Sequence, residues 1–158
     1  MIKKAPVNIS KVRNILAQIE EGIKEFETLS KLSLTDFLSD KRNYIVAEHY
    51  LRRSLEGILT IGSHFLSRIN AKTKDYQQII LSLGENGLIP KDFAERNKNL
   101  AGYRNRLIHV YWDITPEERY TLINQHLRDL IEFCKHYQNI LNDLKKYGLE
   151  SLKLPLGI

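Results

Sequence analysis

A single cysteine, Cys134, excludes any intrachain disulfide, and its place on an apolar helical stripe reads as a small buried hydrophobe rather than a reactive thiol. No apolar run reaches the length needed to span a membrane. The opening Met-Ile-Lys-Lys-Ala-Pro lacks the apolar core of a signal peptide. These absences lead us to expect a cytoplasmic protein. Strict alternation of apolar and polar residues is missing, so strands are not expected. No glycine-rich phosphate loop, paired-cysteine motif or His-Glu-x-x-His pattern occurs, so neither a nucleotide cofactor nor a structural metal is expected. His49, His64, His126 and His136 lack metal-ligand spacing and read as hydrogen-bonded or surface histidines.

The formal net charge of +5 is compatible with a polyanionic partner without establishing one. Basic residues are spread along the chain, mostly on what read as solvated helix faces. One local excess stands out, where Lys91, Arg96, Lys98, Arg104 and Arg106 outnumber Asp92 and Glu95, a mild electrostatic footprint.

With 42% hydrophobic and 27% charged residues in 158, the composition is that of one globular domain, 1–158, with a core from about 8 to 146. Helical periodicity dominates. Ser10 is expected to cap a first helix carrying Ile15, Leu16, Ile19, Ile23 and Phe26. Thr35-Asp36 opens a second region that carries Leu51, Leu55, Ile58, Gly62, Phe65 and Ile69 and ends at Asn70. A shorter helix covers Asp75–Glu85, stopped by Asn86-Gly87. Pro90 suits the first turn of the next helix, which carries residues 103–112 and is expected to fray near Trp112–Ile114. Thr115-Pro116-Glu117-Glu118 is a capping box. It launches a last helix with Leu127, Leu130, Ile131, Cys134, Tyr137, Leu141 and Leu144 in register. The fold expected is all-α, an antiparallel four-helix bundle with an additional short helix. Beyond Gly148, Leu149, Leu152, Leu154, Leu156 and Ile158 form either a frayed end or a segment docked on the bundle or a partner.

Residues 103–112, Tyr-Arg-Asn-Arg-Leu-Ile-His-Val-Tyr-Trp, carry the chemistry. On a stripe through Phe93, Leu100, Leu107, Ile108 and Tyr111, Arg104 lies within about 60° of every member. An unpaired buried charge costs several kcal/mol. Such an arginine therefore has a partner, or its face opens onto a cleft or a subunit interface. Asn105 and His109 are i,i+4 neighbours, so the amide can orient the imidazole. Arg104 and Tyr111 fall within about 20° of each other, whereas Arg104 and His109 stand about 140° apart. Either the helix distorts near its end, or two copies meet across a two-fold axis. The second is preferred, since an isologous dimer would also give Arg104 a polar surface to face. Histidine transfers protons in both directions near neutral pH, and an arginine fork neutralises charge on a reacting phosphate. RNA supplies its own 2′-hydroxyl nucleophile, so neither a protein nucleophile nor a metal is required. The plainer explanation of the spacing is that basic residues favour helix C-termini.

The motif Arg104-x4-His109-x-Tyr111, its setting in Leu100-Ala-Gly-Tyr-Arg-Asn-Arg-Leu-Ile-His, and the stretch Leu51–Leu66 resemble the HepT-like branch of the HEPN superfamily. The resemblance spans residues from about 8 to 146. It implies a HEPN-like bundle, a homodimer with a composite cleft, and metal-independent RNA cleavage by Arg104 and His109, supported by Asn105 and Tyr111. It further implies a toxin acting on messenger or transfer RNA. The implied antitoxin is a minimal nucleotidyltransferase that transfers AMP to Tyr111, with higher hetero-oligomers a further possibility. Relatives often carry an acidic residue where this chain has Thr60, and Glu56, one turn away, is the candidate substitute. His64 lies within the resembling stretch, which improves its claim to support the cleft. Two rivals stand beside this reading. One is a non-catalytic helical bundle that regulates the nucleotidyltransferase or binds a nucleotide; the other is a general RNA-binding protein.

Overall fold

The computed structural model describes residues 5–73, 75–108 and 114–151. Helix α1 (Ile9–Ser30) starts at Asn8, whose Oδ1 accepts from the Lys11 amide at 3.0 Å. The cap is thus Asn8 rather than Ser10, two residues earlier, and asparagine is among the strongest N-caps. Val12, Leu16, Ile19, Ile23 and Phe26 recur at three- and four-residue spacing and are buried together.

The second helical region divides in two. Ser33 caps the short α2 (Leu34–Ser39), and Asp40 caps α3 (Lys41–Arg68) through a bond from the Arg42 amide. At 28 residues, α3 runs about 42 Å and is the spine of the fold, packing against α1, α2, α4, α6 and α7. Gly57 permits the close α1–α3 crossing: a Cβ there would stand 2.9 Å from the Ile15 side chain and 3.0 Å from that of Ile19. Asn70, with φ of 59°, closes this region as expected.

Asp75 caps α4 (Tyr76–Glu85), and Gly87 turns the chain at φ 72°. The helix expected to run on from Pro90 is interrupted. Helix α5 (Lys91–Asn97) stops and α6 (Leu100–Ile108) restarts after a turn at Lys98-Asn99. The buried Asn97 side chain donates to its own helix at the Phe93 carbonyl, 3.0 Å away, a competing bond that weakens a helix interior.

Thr115 caps α7 (Pro116–Asn142) with Pro116 in the first turn, as the sequence indicates. Its buried face is rotated slightly from expectation. Phe133 and Ile140 are buried with Leu130, Cys134 and Tyr137, while Ile131 is exposed. A 3-10 turn (Leu144–Tyr147) follows and takes Leu144 out of the helix. Leu149 is then buried, and Val7 donates to the Glu150 carbonyl at 2.7 Å, so this part of the tail docks beside the start of the chain. Residues 152–158 lie outside the described residues. The architecture is the all-α helical bundle the periodicity indicates, and no described helix is long and apolar enough to cross a membrane.

Candidate active site

Helix α6 packs on α3 through Leu100, Ala101 and Leu107. Arg104 lies four residues after Leu100 and three before Leu107, so helical geometry turns it toward the same neighbour. There Glu56 of α3 receives it. Arg104 Nε donates to Glu56 Oε2 at 2.7 Å, and Nη2 to Oε1 at 3.4 Å. Nη1 donates to Asn105 Oδ1 at 3.0 Å. Beneath the guanidinium lies the Tyr76 ring of α4, its centroid 4.4 Å from Cζ. The hydrogen bond that Arg104 donates to Glu56 raises the arginine's pKa above its ordinary value, against an opposing effect of burial. A guanidinium has five N–H donors. The three bonds above leave two of them unengaged among the described residues.

The half-buried arginine thus finds its partner within the chain, and its charge alone no longer calls for a second copy. Glu56, the candidate substitute for an acid at Thr60, is that partner. Asn105, expected to orient His109, has its Oδ1 engaged by Arg104. His109 and Tyr111 lie outside the described residues.

The described residues on either side of 109–113 are held in place. Arg52 of α3 donates to the Leu107 carbonyl at 2.7 Å, closing one of the orphan acceptors at the end of α6. Arg106 forms a fork with Glu118 of α7, 2.5 and 2.9 Å long, and this bond raises the Arg106 pKa. On the far side Ile114 is buried.

The local basic excess is mostly neutralised. Arg96 faces Asp129 and Glu132, Lys98 pairs with Glu95, Arg104 with Glu56 and Arg106 with Glu118. His64 does not support this site: its Nε2 accepts from the Asn8 amide at 3.0 Å, at the start of α1. Burial, with Arg68 and Lys11 nearby, pushes its pKa down to about 4. Cys134 is buried, and desolvation pushes its thiol up to about 12, which keeps it unreactive. His136 pairs with Glu132 and packs on Phe93, while His126 lies beside Tyr103.

Sequence reasoning missed Tyr76 and Arg52. The signal for Arg52 was available, because Arg52, Glu56 and Thr60 recur every four residues along α3. Nothing in the spacing around Tyr76 connects it with Arg104.

The fold and motif together define an all-helical bundle that presents a partnered arginine midway along a short helix, about one turn from either end. The ribonuclease HepT-like family model matches residues 19–137, and the chain belongs to that family. It is 25% identical over 142 residues to a tRNA nuclease HepT of Aphanizomenon flos-aquae, covering 89% of this chain and 95% of the relative. Among solved structures it is similar to the tri-AMPylated HEPN toxin of Shewanella oneidensis in complex with MNT antitoxin. There the TM-score is 0.70 at 20% identity, covering 81% of this chain and 96% of that one. It is also similar to YutE of Bacillus subtilis, a cytosolic protein of unknown function. That match has a TM-score of 0.74 at 21% identity and covers 86% and 92% of the two chains. At these identities the structural likeness speaks to the fold.

Proposed function

We propose that this protein is a metal-independent endoribonuclease, the toxin of a toxin–antitoxin pair, with its active site shared between two copies in a homodimer. The observation that carries the reading is the motif arginine, held by Glu56 and Tyr76 with donors left over for a substrate. Transfer RNA is the first substrate to test, because the curated relative is named a tRNA nuclease.

In this mechanism the RNA 2′-oxygen attacks the adjacent phosphorus while His109 removes its proton. The bond to the 5′-oxygen breaks, and the same group in the second copy returns a proton to that oxygen. Arg104 stabilises the charge growing on the phosphoryl oxygens. The products are a 2′,3′-cyclic phosphate and a 5′-hydroxyl. Neutralisation follows when the tyrosine oxygen of Tyr111 attacks the α-phosphorus of ATP on a minimal nucleotidyltransferase, with pyrophosphate leaving. The attached anion then competes for Arg104. AMPylation and an MNT antitoxin both belong to the Shewanella oneidensis relative, which supports this part of the reading.

The test is cleavage of transfer and messenger RNA in EDTA by the wild-type protein and by His109→Ala, with product ends determined. Expected are cyclic phosphate ends from the wild type and none from the mutant. Absence of cleavage by protein of unmodified mass, on both RNA classes, would overturn the reading.

A further inference from the structure

Arg52 stands apart from the other arginines around α6. Arg96, Arg104, Arg106 and Arg119 each face a carboxylate. Arg52 pairs with no carboxylate among the described residues, although Glu56 stands one turn along the same face of α3. Glu56 is already taken by Arg104. Arg52 instead spends a single N–H on the Leu107 carbonyl at 2.7 Å, and the residue is exposed. Its guanidinium is therefore fixed at one atom and charged, with its remaining donors unengaged among the described residues. It sits at the end of α6, two residues before His109 in the chain.

We propose that Arg52 is a phosphate-binding residue of this site, contacting the RNA backbone beside the phosphate that Arg104 addresses. The inference rests on the ribonuclease reading and adds a residue to it. An arginine with no carboxylate partner adds long-range attraction to a polyanion, releasing about one counterion for the phosphate it meets. The bond to Leu107 restricts the side chain before RNA arrives, which lowers the ordering cost of binding. A backbone contact of this kind weakens binding evenly across sequences when removed. The Arg52–Arg104 arrangement also separates roles. Arg104 is held between Glu56 and Tyr76 for the reacting phosphate, and Arg52 holds its neighbour.

The experiment measures RNA affinity against salt, with the full chain carrying His109→Ala so that RNA stays intact. A transfer RNA and a single-stranded homopolymer are the probes. Two variants are compared in that background. Arg52→Gln keeps an N–H for the Leu107 carbonyl and loses the charge; Arg52→Ala loses both. Both variants are expected to raise Kd several-fold, about equally on the two RNAs, and to lower the salt slope by about 0.7–0.9. Unchanged Kd and slope in Arg52→Gln would overturn the proposal. So would a lowered Tm in Arg52→Ala with no change of slope, which would make Arg52 a helix-end support alone. In either case the ribonuclease reading stands. If the wild type neither binds nor cleaves RNA, that reading falls and this proposal falls with it.

Discussion

Arg104 and Glu56 are joined by two hydrogen bonds across the α3–α6 seam, the shorter at 2.7 Å, with the arginine side chain 19% exposed and the glutamate 41%. The pair is neither dry enough to command a buried-pair energy nor free enough to be a surface ornament. What it fixes is direction. With Nε and one edge of Nη2 held by α3, the guanidinium presents its remaining donors in a set orientation.

Glu56→Gln keeps acceptor capacity on one oxygen and loses the charge. We expect it to lower stability by about 1 kcal/mol and RNA cleavage by about tenfold, the order of a misaligned electrostatic contact. Glu56→Ala is expected to be worse and Glu56→Asp intermediate. Thermal unfolding and steady-state cleavage read the two effects separately. Wild-type cleavage by Glu56→Ala would remove Glu56 from the site.

Tyr76 contributes its ring face. Tyr76→Phe preserves that face and is expected to behave as the wild type in stability and cleavage. Tyr76→Ala removes it, at a cost of about 0.5–1 kcal/mol and with reduced cleavage. Equal losses in both variants would show that the hydroxyl, not the ring, matters.

The Arg106–Glu118 fork ties the end of α6 to the first turn of α7, with both side chains about a third exposed. A double-mutant cycle with Arg106→Gln and Glu118→Gln is expected to give a coupling energy of about 0.5–1 kcal/mol. A coupling of zero by chemical denaturation would reduce the fork to two independent surface charges.

His64 carries the pH dependence. The Asn8 amide must donate, so the His64 Nε2 that receives it is unprotonated. The folded pKa, about 4, lies below the ordinary histidine value of 6.5. A histidine with a depressed folded pKa contributes stability that is full above pH 6.5. That stability is lost as pH falls toward 4, reaching a loss on the order of 3 kcal/mol there. His64→Gln is expected to flatten this part of the stability–pH curve. Urea unfolding of both proteins between pH 4 and 7 checks it, and parallel curves would contradict the assignment.

Much of this architecture is written in local signals. The Thr115-Pro116 start of α7, the Asn86-Gly87 stop of α4 and the apolar faces of α1 and α3 follow from capping chemistry and helical spacing, which act within a few residues. Asn8 and Ser33 displaced Ser10 and Thr35 as caps because several good caps stood close together, and packing chose among them. The break at Lys98-Asn99 escaped notice because Phe93, Leu100 and Leu107 remain in phase across it. Arg104 was legible as a cation on an apolar stripe, and Glu56 as a possible partner from its register on α3. The contact with Tyr76 was not, since it joins α4 to α6 through tertiary packing alone. His64 was drawn toward the wrong role by its neighbours in sequence, when its partner lies 56 residues away at Asn8.

The interruption between α5 and α6 has a dynamic consequence. At nine residues, α6 is shorter than the about 12–15 residues at which an isolated helix becomes even marginal in water. It is cut off from the chain before it and held by side chains of α3 and α7. The helix bearing Arg104 is therefore expected to open as a separate unit while the long helices stay folded, with its amide hydrogens exchanging ahead of theirs. Whatever binds Arg104 binds the closed form of that unit. A ligand at this site would thus be seen first as slowed exchange over 100–108, before any change in the melting of the bundle.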